Sequence, residues 1–383
     1  MEIYLDNSST TKVRPEVLEG MIEIYEKDYG NPSSLHSKGL EIEKKINTAR
    51  MSVAKIINAK ANEIYFTGGG TESNNIAIFG HLYNINEKHN IITTKIEHPS
   101  VYNIYKHFEE KINVKYVDTD KTGKINLNEL EKLVDENTVL VSFILVNNEF
   151  GTIQDLNEIT KVVKNKNSRT KIHVDAIQAY GKIEIDIRKY PVDTMAFSSH
   201  KIHGPKGVGG LYISSDCKIN SIIFGGNQEN GIRPGTENTP GIVGFGVACD
   251  LINEDFNKYT EKFYSLKKLY CDKLTKEIDD IKINSQLDNN GAPHILSVSF
   301  KDIKGEILVH YLENVGIYVS TGSACSSKAK NNYRILEAIN LDKDYLGGTI
   351  RISLGYFNTY DEVEYVIENI KKSVHEIRDI IKL

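Results

Sequence analysis

Five short apolar runs of the sequence end in residues able to do chemistry. The run 63–67 leads into Gly68-Gly69-Gly70-Thr71, 91–94 is followed by His98-Pro99, and 139–146 leads into Asn147-Asn148-Glu149. The run 172–174 delivers Asp175, and 194–197 delivers Ser198-Ser199-His200-Lys201. Three glycines let a backbone approach an anion closely, and the free N–H groups of a following helix start, with the Thr71 hydroxyl, can hold a phosphate. An acid and a lysine at the ends of separate strands beside such a loop meet the needs of pyridoxal phosphate. The lysine amine forms a Schiff base, and the carboxylate keeps the pyridine nitrogen protonated so that the ring draws electrons.

Each residue alone has a plainer reading. Gly68-Gly69-Gly70 serves as a tight turn, Asp175 as a helix cap, Lys201 as a surface lysine, His98 as a helix-start residue, and Asn148 as part of a strand-to-turn signal. The combination reverses that balance. His98 could then stack on the cofactor ring, and an amide of the Asn147-Asn148 pair could bond its phenolic oxygen. Rival motifs are absent. The glycine run lacks the G-x-G-x-x-G pattern of nicotinamide folds, and no Gly-Lys-Ser/Thr follows Gly204-Pro205-Lys206-Gly207, so a Walker A loop is rejected. His200 and His203 have zinc-like spacing but no further ligands, so no metal site is expected.

The four cysteines divide unequally. Cys249 and Cys271 lie in apolar helical surroundings and read as packing residues, while Cys217, in a polar turn after a strand, reads as incidental. Cys325 sits in Ser320-Thr321-Gly322-Ser323-Ala324-Cys325-Ser326-Ser327, a small-residue loop with the mobility and exposure that a reactive thiolate requires. Without context such a cysteine is more often a plain exposed thiol. No pair is spaced C-x-x-C, and reduced thiols in the cytoplasm are the default expectation.

The elements that must position these residues follow from periodicity. Helical and strand segments alternate from Arg14 to about Ile213, which predicts crossover-connected parallel strands covered by helices on both faces. Pro15 at a first helical turn is followed by Val17, Leu18, Met21, Ile22 and Tyr25 at helical spacing, and Ile42, Ile46, Ala49, Val53 and Ile56 repeat the pattern. One or two helices are predicted over 242–278. A second unit then has strands at 294–300 and 349–354, a helix at 305–314 and a terminal helix over 359–381. The expected fold class is α/β: a large domain over 14–255, and a smaller α+β domain from 1–13 and 256–383 carrying the loop at about 320–332.

Composition narrows the function classes. The 383 residues carry a net charge of -5 with both signs well mixed, so no nucleic-acid arm or polybasic membrane anchor is visible, and no stable nucleic-acid binding is expected. Glu2 and Asp6 stand where a signal peptide would be basic and then apolar, and no apolar run approaches about 18 residues, so no membrane association is expected.

Together these residues resemble the cysteine desulfurases of the NifS/IscS type, class-V aminotransferase-like enzymes of fold type I. The resemblance spans Tyr4-Leu5-Asp6-Asn7, Gly30-Asn31-Pro32-Ser33-Ser34, Gly70-Thr71-Glu72-Ser73-Asn74, Glu97-His98, Val146-Asn147-Asn148-Glu149, His173-Val174-Asp175-Ala176-Ile177-Gln178, Ser198-Ser199-His200-Lys201, Arg233-Pro234-Gly235-Thr236 and Gly322-Ser323-Ala324-Cys325. It implies that Lys201 is the Schiff-base lysine, Asp175 the pyridinium partner and His98 the stacking residue, with a further acid/base role open to His98. Gln178 and Asn148 resemble contacts near the phenolic oxygen. Gly70, Thr71, Ser198 and His200 resemble phosphate ligands, with Thr236 reaching the cofactor of the other subunit in a homodimer with composite sites. Arg351 resembles the arginine that takes the substrate carboxylate bidentately, beside Asn148.

The implied reaction converts L-cysteine to L-alanine and leaves a persulfide on Cys325, which passes sulfur to an acceptor protein, either an iron-sulfur scaffold or a tRNA-thiolation enzyme. Gly68-Gly69-Gly70 stands where Ser-Gly-Ala is commoner, and Gln228-Glu229-Asn230 lacks a basic residue that some relatives have. The chain ends at Leu383, where scaffold-serving relatives often carry a further tail, so tRNA thiolation stays open. Selenocysteine lyase or a general aminotransferase of the same fold, and a catalytically silent scaffold in a sulfur-transfer complex, are the alternative expectations.

Overall fold

The computed structural model describes residues 2–321 and 333–381. In chain order its strands are β1 (Ile3–Tyr4), β2 (Ile64–Thr67), β3 (Asn90–Thr94), β4 (Asn113–Val117), β5 (Thr138–Ile144), β6 (Lys171–Asp175), β7 (Thr194–Ser198), β8 (Gly209–Ile213), β9 (Ile281–Ile283), β10 (Ile295–Phe300), β11 (Ile317–Tyr318) and β12 (Thr349–Ser353). Seven of them form one sheet in the order β2-β8-β7-β6-β5-β3-β4. All run the same way except β8, which lies antiparallel between β2 and β7. The carboxyl ends of β2, β3, β5, β6 and β7 therefore share one edge, where open α/β sheets bind ligands.

The expectation of a parallel sheet needs one correction. The ten residues between β7 and β8 contain no helix able to cross over the sheet, so the chain turns back and β8 pairs antiparallel. Every residue of β3, β6 from Ile172 to Asp175, β7 and β8 is buried, as expected for strands covered on both faces.

Covering helices include α1 (Pro15–Glu26), α2 (Ser37–Ile56), α3 (Gly70–Leu82), α4 (Pro99–Phe108), α5 (Leu127–Leu133) and α6 (Leu156–Lys166). The long α7 (Thr239–Glu277) follows, capped by Asn238, whose side chain accepts from the Gly241 N–H. Its helical geometry breaks at Asp255 (φ −122°, ψ 17°). Before the break Ile242, Phe245, Ala248 and Cys249 join the core under the large sheet; beyond it Phe263, Leu266, Tyr270 and Leu274 join a second core. Gly246 lets α7 lie against α2, since an added Cβ would stand 2.6 Å from Ala49.

The second core is built on the antiparallel sheet β12-β10-β9 with α8 (Gly305–Glu313) and the terminal helix, which begins after α9 (Arg334–Ala338) and α10 (Lys343–Leu346) as α11 (Glu362–Ile381). The two ends of the chain meet there. β1 pairs parallel with β11, and Ile3 and Leu5 are buried among residues of this core. Cys249 and Cys271 are buried as expected; Cys217, directly after the turn at Ser215-Asp216, is buried too, packed with Leu211 and Ile213. Among the described residues no helix is long and apolar enough to cross a membrane.

Candidate active site

At the open edge of the large sheet the chain ends β2 and enters α3 through Gly68 and Gly69. Gly69 has φ +151°, a conformation that favours glycine, and the helix begins at Gly70 with no side-chain cap. Uncapped N–H groups at this start are the donors an anion needs. Gly70 and Thr71 line a cleft together with Ser198, His200, Thr10 and Arg233. Arg233 donates from Nε to Glu72 Oε1 at 3.3 Å. Ser198 Oγ is buried without a hydrogen-bond partner, a donor left free for a ligand. His200 bonds Thr10 Oγ1 through Nδ1 (3.1 Å), and burial with the nearby lysines Lys201 and Lys206 lowers its pKa to about 4.

Asp175 closes β6 and is almost fully buried. Burial raises its pKa to about 6, against the Ile177 N–H, the Asn74 amide and the charge of Lys201, all of which favour the carboxylate. The Ile177 N–H donates to Oδ1 at 3.1 Å and Asn74 Nδ2 to Oδ2 at 3.0 Å. Lys201 lies in the single turn after β7, its Nζ donating to the carbonyls of Ser8 (2.5 Å) and Ser9 (2.7 Å). Pro99 holds His98 in an extended conformation, so His98 caps α4 by accepting from the Ser100 N–H through Nδ1. Burial, then the charges of Lys201, Arg334 and Arg351, lower the His98 pKa to about 4, so the ring is neutral.

Arg351, on β12, reaches this edge from the second core. Nη1 donates to the Asn148 carbonyl (2.7 Å) and Nη2 to Asp6 Oδ1 and Ser9 Oγ (both 2.8 Å), while Nε is buried without a partner. Asn148 Oδ1 is likewise buried and unpaired. Gln178 donates from Nε2 to the Ser8 carbonyl (2.8 Å), and its Oε1 faces His294 Nε2 at 3.4 Å. These orphaned atoms, the buried acid and the anion-binding loop fit a bound pyridoxal phosphate.

Sequence reasoning left several members of the site without a role. Asp6, Ser8 and Ser9 tie Lys201 and Arg351 to the N-terminal segment, and the buried Glu97 accepts from Thr94 Oγ1 (2.6 Å) and the Ile144 N–H (3.1 Å). Burial pushes Glu97 up to about 8 and Glu149 up to about 7. Glu229, in the stretch Gln228-Glu229-Asn230, binds Arg50 through both oxygens and accepts from the Phe66 N–H. Thr236 is exposed and does not line the cleft of its own chain. His200 and His203 do not converge: His203 Nδ1 bonds the Lys12 carbonyl and its Nε2 accepts from the Tyr356 N–H. Cys325 lies outside the described residues.

Comparison with known proteins follows the same lines. The family model "Aminotransferase class-V" matches residues 3–366. The chain is 40% identical to "Cysteine desulfurase IscS" of Clostridium botulinum, an alignment covering 100% of this chain and 96% of that one. It is 38% identical to the IscS of Dictyoglomus turgidum over 99% of this chain and 96% of that one. A solved "NifS-like protein" superposes with a TM-score of 0.92 at 40% identity, covering 98% of this chain and 100% of the other.

Proposed function

Because the chain belongs to the class-V aminotransferase family and is a pyridoxal-phosphate-dependent cysteine desulfurase, we propose how its own residues divide the conversion of L-cysteine to L-alanine. The observation that carries the proposal is the meeting of Lys201, Asp175, His98 and Arg351 at the edge formed by the strand ends. Bound pyridoxal phosphate supplies an electron sink that makes the substrate Cα proton acidic and the Cβ–S bond labile. Gly70, Thr71, Ser198 and His200 hold its phosphate, Asp175 its ring nitrogen, Asn148 and Gln178 the region of its phenolic oxygen, and His98 one ring face.

Lys201 carries the cofactor and moves the proton at Cα. Arg351 binds the substrate carboxylate, its buried Nε–H being one donor without a partner. Cys325 is the sulfur acceptor. Its thiolate attacks the substrate sulfur, an S–S bond forms, and the Cβ–S bond breaks with its electron pair on carbon. Protonation of that carbon gives the alanine methyl group, and Cys325 keeps the sulfur as a persulfide.

The finer reading is a two-fold dimer, in which the exposed Thr236 serves the partner's cleft. The division into units falls at about residue 255, supported by the break at Asp255 and the two cores. The persulfide supplies acceptor proteins of iron-sulfur assembly or tRNA thiolation in the cytoplasm.

The experiment follows alanine and sulfide release from L-cysteine with a thiol reductant, and Cys325 persulfide by mass spectrometry. Lys201→Ala is expected to abolish alanine formation, and Cys325→Ala to abolish the persulfide and nearly all turnover. A Cys325→Ala protein with the wild-type rate overturns the nucleophile assignment, and a Lys201→Ala protein with that rate overturns the lysine assignment.

A further inference from the structure

One buried side chain, Asn74 on α3, uses all its polar atoms within the site. Nδ2 donates to Asp175 Oδ2 (3.0 Å) and to Ser100 Oγ (2.9 Å), and Oδ1 faces His173 Nε2 at 2.9 Å. The orientation of the amide is decided by chemistry, because an ionised carboxylate can only accept, so the nitrogen must face Asp175. Oδ1 then accepts, which places the ring proton of His173 on Nε2 and leaves its Nδ1 to accept from Thr194 Oγ1 (2.9 Å). On the other side Ser100 Oγ, having accepted from Asn74, has its proton free for His98 Nδ1 at 2.8 Å. The Ser100 backbone N–H also donates to that nitrogen (3.1 Å), so Nδ1 accepts twice and the proton of the neutral ring stays on Nε2.

We propose that Asn74 is a positioning residue that locks the Asp175 carboxylate and, through Ser100, the His98 ring into one rigid polar unit, so that pyridine-nitrogen partner and stacking residue are set by a single amide. The proposal deepens the reading of this cleft as a pyridoxal phosphate site and rests on it for its catalytic consequence. Its physical core does not need the cofactor. Asp175 receives two N–H donors, one from Ile177 and one from Asn74, and each favours the charged form in a buried place. Two titratable groups from other elements also face it: Lys201, after β7, which favours the charge, and Glu97, after β3, which opposes it. Both remain when Asn74 is replaced, so the change reports the amide.

The test follows the carboxylic-acid C=O infrared band of Asp175, identified by its loss in Asp175→Asn, across pH in cofactor-free protein. In Asn74→Leu the midpoint is expected to rise by about 1 pH unit or more, the size of one hydrogen bond to a charge. In the loaded protein the dissociation constant for pyridoxal phosphate is expected to rise about tenfold or more. If Asn74→Leu does not fold, Asn74→Asp keeps the size and the acceptor toward His173 but sets a second carboxyl against Asp175, and the midpoint again rises. A midpoint unmoved in the folded variants, with cofactor affinity unchanged, overturns the proposal. Wild-type protein that takes up no pyridoxal phosphate while the cofactor-free titration still moves overturns the reading of the cleft and leaves the role of Asn74 standing.

Discussion

At one end of the cleft the buried Asp175, Asn74 and Ser100 are joined by side-chain hydrogen bonds to one another and to the half-buried His98; at the other, Gly70 and Thr71 offer backbone N–H groups at an open helix start. The first end is specified by side chains that must find one another across the fold. The second is specified by local backbone shape. Charge is handled differently too. Burial pushes Asp175, Glu97 and Glu149 toward the neutral form, so the closed end is sensitive to pH, whereas the backbone N–H and hydroxyl donors of the open end do not titrate and its His200 is held neutral down to about pH 4.

Substitutions at each end can break that contrast. The largest effect is expected for Asp175→Asn, which removes the only charge that could face a ring nitrogen from β6: kcat should fall about a hundredfold or more. A loss under threefold, measured as alanine release at saturating cofactor, would show that the closed end does not act through its carboxylate. Next comes Glu97→Gln. Wild-type Glu97 titrates near 4.5 when unfolded but near 8 in the fold, so the unfolded chain gives up its proton first and stability falls as pH rises between those values. Glutamine keeps an acceptor for Thr94 and Ile144 and removes that fall. Its stability relative to wild type should therefore improve between pH 5 and pH 8 by about 3 kcal/mol, read from denaturant midpoints.

Thr71→Val at the open end should weaken pyridoxal phosphate binding about tenfold while leaving kcat nearly unchanged once cofactor saturates. A change in the pH dependence of activity here would erase the distinction between the two ends. The smallest effect is expected for Gly69→Ala. No atom lies within 4 Å of the added Cβ, so only the φ of +151° opposes it, at a cost of about 1 kcal/mol seen as a thermal midpoint lowered by about 1–2 °C.

The same contrast explains what could be read from the chain alone. Gly68-Gly69-Gly70-Thr71, Asp175 and Lys201 were legible because each follows its own strand directly, and a sheet with its strands aligned brings such positions to one edge. The part played by Asn74 was not, since its partners Ser100, His173 and Asp175 lie 26, 99 and 101 residues away. The reversed direction of β8 left a trace: the link from β7 is too short and too rich in Gly and Pro for a crossover helix. Two-residue strands such as β1 and β11 carry no periodicity to detect, so the meeting of the chain ends had no local signal.

That meeting has a consequence for the order in which the protein comes into being. Ser8 and Ser9, whose carbonyls hold Lys201, stand beside Asp6, which waits for Arg351, 345 residues later in the chain. On a ribosome adding roughly 5–20 residues each second, that partner follows about 20–70 s after Asp6 itself has been made. The large sheet can assemble meanwhile, but the N-terminal segment has no strand to join until β11 and β12 emerge. A nascent chain stalled before residue 317 should therefore protect the amides of the large sheet from hydrogen exchange while those of residues 3–5 remain open.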